Sequence, residues 1–206
     1  MDRLNAFARR VPTWVVYLGG TLPFLWLVWN ILQGDLGPDP VKTVERELGV
    51  LGLQFLLASL AVTPLRRLGL NLLRFRRALG LLAFGYVSLH LAAWVGLDMG
   101  LRWAEMGADL VKRPYVILGM LGFLVMIPLA ATSSNRAIRR LGPQAWGRLH
   151  RLAYVAILAG LLHLVLLSKV WTGEVLVYVG LGVGLLLVRL WPRTARQDQR
   201  RDRAAA

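Results

Sequence analysis

Among 206 residues the side chains able to hold a metal ion or move a proton at depth are few, and the sharpest candidates are histidines. There are three, His90, His150 and His163, and there is no cysteine. The chain therefore cannot build a disulfide framework, an iron–sulfur cluster, a thiolate zinc site or a covalently attached c-type haem, because each needs protein sulfur. Any metal must be held by imidazole or oxygen. His90 lies in GYVSLHLAAW and His163 in ILAGLLHLVLL, both in the middle of long apolar runs that contain no Asp, Glu, Lys or Arg. Ionisable groups in such runs are costly and usually functional. Neutral imidazole at that position is a good ligand for a transition metal. His150, in GRLHRLAY, stands instead among arginines at the edge of a run.

The elements that must carry these histidines follow from hydropathy. Apolar residues make up 56% of the chain, mean hydropathy is +0.53, and the charges fall in short blocks between apolar stretches. A soluble domain has no such distribution, and the chain reads as an all-α, polytopic membrane protein. Crossing about 30 Å of hydrocarbon takes roughly 20 helical residues. Six segments qualify, near 13–32, 48–65, 78–97, 115–132, 152–167 and 175–190. They form one transmembrane domain over 1–206, a six-helix bundle, with residues 192–206 as a basic tail able to touch anionic lipid. Pro23 and Pro128 fall inside spans and Pro64 is expected to end one. The first span follows Arg9-Arg10 but is too long for a cleaved leader, and it is kept as a helix. No internal repeat is evident, and none suggests a transporter built from inverted halves.

Orientation comes from the basic blocks. Of 25 Lys and Arg, 19 fall at the N-terminus, in the second and fourth connections, and at the C-terminal end, whereas 8 of 11 acidic residues fall in the other three connections. By the positive-inside rule both termini are cytoplasmic. The net charge of +14 is then topological, and no nucleic-acid partner is expected.

In that frame His90 lies 13 residues after Arg77 and His163 lies 12 after Arg151, on two spans running in the same direction. At 1.5 Å per residue both imidazoles sit roughly 18 to 20 Å from the inner boundary, a little beyond the midplane. Two imidazoles at one depth can clamp one haem iron, and bis-histidine ligation suits electron transfer. His150 and His163 are 13 residues apart, which on a straight helix sets their rings roughly 140° apart in rotation. For His150 an interfacial role and a second ligand role both stand. Arg77 and Arg151, with Arg74, Arg76 and Arg148, could pair with haem propionates, flavin phosphate or lipid phosphate. Trp94, one turn after His90, is a candidate haem neighbour.

The segments TLPFLWLVW, GPDPVK, RRALGLLAFGYVSLHLAAW, KRPYVILGM and WGRLHRLAYVAILAGLLHL, in this order, resemble the haem-binding membrane subunits of the bacterial periplasmic protein-methionine-sulfoxide reductase, the MsrQ family. That family is similar in turn to the ferric-reductase-like transmembrane domain. The resemblance implies haem b and FMN as cofactors. It implies quinone or a cytoplasmic flavin reductase as electron source, and a periplasmic molybdopterin methionine-sulfoxide reductase as acceptor. It places the chain in the bacterial inner membrane. His90 and His163 match the family's haem-ligand positions and His150 its third histidine. The competing functions are a small transporter or channel, for which an embedded carboxylate or broken helices would be expected, and a purely structural assembly subunit, which leaves two deep histidines unexplained.

Overall fold

The computed structural model describes residues 1–190, so the expected basic tail at 192–206 lies outside the described residues. The described chain is helical throughout, with no strand. Its elements are α1 (Asp2–Arg10), α2 (Thr13–Gln33), α3 (Pro40–Arg67), α4 (Arg76–Ala93), α5 (Trp103–Lys112), α6 (Pro114–Ala131), α7 (Asn135–Leu141), α8 (Pro143–Leu149), α9 (Ala153–Leu167) and α10 (Gly173–Leu190). A 3-10 turn at Leu73–Phe75 leads into α4, a π turn at Trp94–Asp98 continues it, and a second 3-10 turn at His150–Leu152 joins α8 to α9.

Five continuous helical stretches among the described residues are long and apolar enough to cross a membrane: Thr13–Gln33, Pro40–Arg67, Leu73–Asp98, Pro114–Ala131 and Pro143–Leu167. The chain is a multi-pass membrane protein. The sixth expected span corresponds to α10, an apolar helix of 18 residues that ends where the described residues end. Large apolar side chains such as Trp26, Leu22, Leu124 and Leu181 point outward from the bundle, as a lipid-facing surface requires, and no polar or charged residue is buried among the described residues.

Local signals set the helix ends. The Asp39 carboxylate accepts from Lys42 N–H at 3.1 Å and Pro40 occupies the first turn, so α3 begins well before the apolar run that marks its membrane portion. Gly34, at φ +75°, closes α2 in a left-handed turn. Ser134 caps α7 through Ala137 N–H.

Pro64 does not end α3, which runs on to Arg67. Proline has no N–H for the Leu60 carbonyl, and that carbonyl instead accepts from the Arg189 guanidinium of α10 at 2.7 Å. A related device operates in α2 next to Pro23. The Phe24 N–H donates to the Tyr86 hydroxyl at 3.1 Å, and that hydroxyl donates to the Gly20 carbonyl at 2.6 Å. The phenol of α4 is thus inserted into the backbone ladder of α2, where it partners both the Phe24 N–H and the Gly20 carbonyl.

Two helix pairs carry the closest packing, α3 against α4 and α6 against α9, and they meet through α4 against α6 and α3 against α9. The core between them is Leu53, Leu57, Leu60, Ile157 and Leu161 in one cluster and Ala83, Met126 and Ala156 in another. At one end of the bundle Lys42 pairs with Asp98 at 2.7 Å and Arg46 with Glu174. At the other end the Arg74 guanidinium donates to the Ala8 and Arg9 carbonyls, Arg77 to Asn135 at 2.7 Å and Arg67 to the Val188 carbonyl at 2.7 Å. The acidic connections thus gather at one end and the arginine blocks at the other.

Candidate functional site

His90 comes from the last turn of α4, and His163 lies just before the last turn of α9. Their ring centres are 6.1 Å apart and the ring planes lie at 81° to each other. Each ring is fixed by a backbone carbonyl from the helix paired with its own: Nδ1 of His90 lies 2.8 Å from the Glu45 carbonyl oxygen of α3, and Nδ1 of His163 lies 2.6 Å from the Tyr115 carbonyl oxygen of α6. A carbonyl can only accept, so each Nδ1 carries the proton. Each Nε2 is then left with its lone pair, the form in which imidazole ligates a metal. Imidazoles bonded through Nε2 at about 2.0 Å to opposite sides of one metal ion put their ring centres about 6 Å apart. The observed separation fits that requirement.

Glycine makes both seats possible. A Cβ at Gly49 would stand 3.1 Å from Nδ1 of His90, and one at Gly119 would stand 2.9 Å from Nδ1 of His163. Each glycine follows its carbonyl residue by one helical turn, and each opens a short repeated string, GVLG at 49–52 and GMLG at 119–122. Their second glycines meet equivalent carbonyls, Gly52 facing that of Ala83 and Gly122 that of Ala156, which lie seven residues before His90 and His163 respectively. The two helix pairs therefore present one motif twice. This repeat is not evident in the sequence, because its signal is two four-residue strings and two Ala-to-His intervals, too sparse to stand out along an apolar chain.

His150 is not part of this pair. Its ring stacks on Trp146 with centres 3.9 Å apart, its Nε2 lies 3.1 Å from the Thr132 hydroxyl, and Trp146 Nε1 donates to the Thr132 carbonyl at 3.0 Å. The 3-10 turn at His150–Leu152 interrupts the straight helix on which its rotation relative to His163 was reckoned. His150 lines a separate open cavity of about 380 Å³ at the arginine end, with Arg74, Arg76, Arg77, Phe84 and Met126 among the walls. Arg77 is one of the cavity's lining residues. Arg151 is exposed and does not line the cavity. Trp94 is half-buried at the start of the π turn. Every ion pair found among the described residues lies at the acidic end, so the cavity arginines have no carboxylate neutralising them there.

The fold and site define a multi-pass helical membrane protein with a pair of carbonyl-anchored imidazoles between two packed helix pairs. Residues 47–161 match the family described as ferric reductase like transmembrane component. His90 and His150 lie within the matched stretch, and His163 two residues beyond it.

Relatives sharpen the assignment. The protein-methionine-sulfoxide reductase heme-binding subunit MsrQ of Caulobacter vibrioides is 45% identical over 188 residues, covering 89% of this chain and 90% of the relative. That of Brucella anthropi is 45% identical over 178 residues, 86% of this chain and 80% of the relative, and that of Brucella ovis is 43% identical over the same length. The chain belongs to the MsrQ family, within the ferric-reductase-like transmembrane proteins.

Proposed function

We propose that this chain is the haem b containing electron-transfer subunit of a methionine-sulfoxide reductase system in the bacterial inner membrane, with His90 and His163 as the two axial ligands of one haem. The observation that carries the proposal is the pair of rings, 6.1 Å apart, each with Nδ1–H held by a carbonyl and Nε2 free. Haem supplies a one-electron ferric/ferrous couple when bound. The protein's part would be to hold His90 and His163 in the ligating tautomer, through the Glu45 and Tyr115 carbonyls. The names of the relatives support both the cofactor and the partnership with a methionine-sulfoxide reductase catalytic subunit.

Six spans with both termini cytoplasmic accompany this proposal. The gathering of α1, the Leu68-to-Phe75 connection, α7 and the end of α10 at one end of the bundle supports an even number of crossings. The arginine-lined cavity then opens toward the cytoplasm, and the histidine pair lies nearer the periplasm. Electrons enter from the quinone pool or a cytoplasmic flavin reductase and leave to a periplasmic molybdopterin-containing methionine-sulfoxide reductase, where the substrate is reduced. The cavity's three arginines, which no carboxylate among the described residues pairs, suit with His150 and Phe84 an anionic cofactor that has a flat ring, FMN or a second haem.

The test is the absorption spectrum and haem stoichiometry of purified protein expressed with ample haem. A Soret band that shifts on reduction, at one haem or more per chain, is expected. Protein that carries no haem under those conditions overturns the proposal.

A further inference from the structure

The ligand histidines are seated by backbone, and that places the control of the site on residues with no side chain. On α3 and on α6 the carbonyl at one position receives an imidazole N–H, and the residue four later is the glycine over which that imidazole lies. A methyl group at either glycine would collide with the nitrogen that makes the bond. The clash differs between the two sites: 2.9 Å at Gly119, where the ring must move, and 3.1 Å at Gly49, where a few tenths of an ångström suffice. The hydrogen bonds rank the same way, 2.6 Å for His163 and 2.8 Å for His90. Other helical glycines in this bundle do not meet a histidine: a Cβ at Gly52 would run into the Val87 side chain at 2.7 Å, and one at Gly85 meets nothing within 4 Å.

We propose that Gly49 and Gly119 are positioning residues for the two imidazoles. Each lets its ring lie close enough to the neighbouring helix for the Glu45 or Tyr115 carbonyl to hold the Nδ1–H tautomer, and Gly119 is the more stringent of the two. The consequence for a bound metal rests on the haem assignment made above. A ligand N–H donated to a carbonyl makes the opposite nitrogen more basic, and the loss of such an outer partner typically weakens metal retention by about 10- to 100-fold. A less basic axial imidazole favours the ferrous state, so the midpoint potential rises when the seat is lost.

Two measurements test this, one without haem. In haem-free protein reconstituted in lipid bilayers, with ¹⁵N-labelled histidine assigned through His90→Gln, His150→Gln and His163→Gln, the wild type is expected to show His90 and His163 as Nδ1–H tautomers with hydrogen-bonded N–H shifts. Gly119→Ala is expected to lose that signature at His163 alone, and Gly49→Ala to weaken it at His90 alone. In haem-loaded protein, Gly119→Ala is expected to retain haem at least about 10-fold less tightly and at a higher midpoint potential than wild type, with Gly49→Ala between the two and Gly85→Ala unchanged. Gly52→Ala controls for helix packing: it is expected to lower thermal stability and leave both tautomer signatures in place. Unchanged histidine signals in Gly119→Ala, or equal loss of them in Gly52→Ala, overturns the positioning role. Failure of the wild type to take up haem overturns the ligand assignment instead, and the haem-free spectra still decide the role of the glycines.

Discussion

The chemistry of the two deep histidines depends on which ring nitrogen carries the proton, and that is decided by two main-chain oxygens. His150 is held by side chains instead, between the Trp146 indole and the Thr132 hydroxyl, and it faces a different cavity. Its replacement is therefore expected to leave the ring pair of His90 and His163 undisturbed. His150→Ala should retain the low-spin absorption of the wild type and alter only what the arginine-lined cavity holds, read as total haem stoichiometry and released flavin after purification. Loss of the low-spin band in His150→Ala, with the band kept in His163→Ala, would show that the histidines are paired otherwise. The candidate residues themselves were legible in the sequence, since counting from Arg77 and Arg151 is enough to bring His90 and His163 to one depth. The glycines and carbonyls were not. A carbonyl is present at every position, so its selection by one imidazole leaves no mark in residue type, and Gly49 and Gly119 look like any other glycine in an apolar helix.

Helices that cross lipid must satisfy each backbone group within the bundle, and here two prolines show how. Tyr86 fills the opened turn beside Pro23, and Arg189 takes the Leu60 carbonyl that Pro64 leaves free. Tyr86→Phe removes the hydroxyl but keeps the ring, which stacks on Phe55 at 5.3 Å. It leaves one part-buried N–H and one carbonyl without that partner, and a destabilisation of about 1 to 3 kcal/mol is expected, measured by reversible unfolding in detergent. Arg189→Met should act similarly on the joint between α3 and α10, with faster hydrogen exchange near Val188 as its local sign; unchanged exchange there would contradict the joint. The long apolar helices were readable because their length and hydropathy admit no other structure in lipid. The short ones were not: α1 and α5 are amphipathic segments of 9 and 10 residues, too short for hydropathy to mark them. The extension of α3 beyond Pro64 was missed because its cause, an arginine 129 residues from Leu60 in sequence, is tertiary.

At the scale of the whole molecule, charge is sorted by end. The acidic connections are tied by Lys42 to Asp98 and Arg46 to Glu174, and the opposite end by arginines bonded to carbonyls and to Asn135. Reporter fusions in the second and fourth connections are expected to read cytoplasmic, and those in the first, third and fifth periplasmic. A periplasmic signal from the fourth connection would reverse the direction of α9 and with it the common depth of His90 and His163. The sorting also bears on electron flow, since it puts the proposed haem nearer the acidic end and the open cavity at the basic one.

The most direct test of the ligand pair is low-temperature electron paramagnetic resonance of the ferric protein, taken for the wild type and for His90→Ala, His163→Ala and His150→Ala. With imidazole planes at 81°, the expected wild-type result is a highly anisotropic low-spin signal, because nearly perpendicular axial rings leave the iron d orbitals close in energy. That signal should vanish in His90→Ala and in His163→Ala, giving way to high-spin iron or to haem-free protein, and persist in His150→Ala. A wild type with only high-spin iron, or a low-spin signal that survives the loss of either His90 or His163, would contradict the central claim.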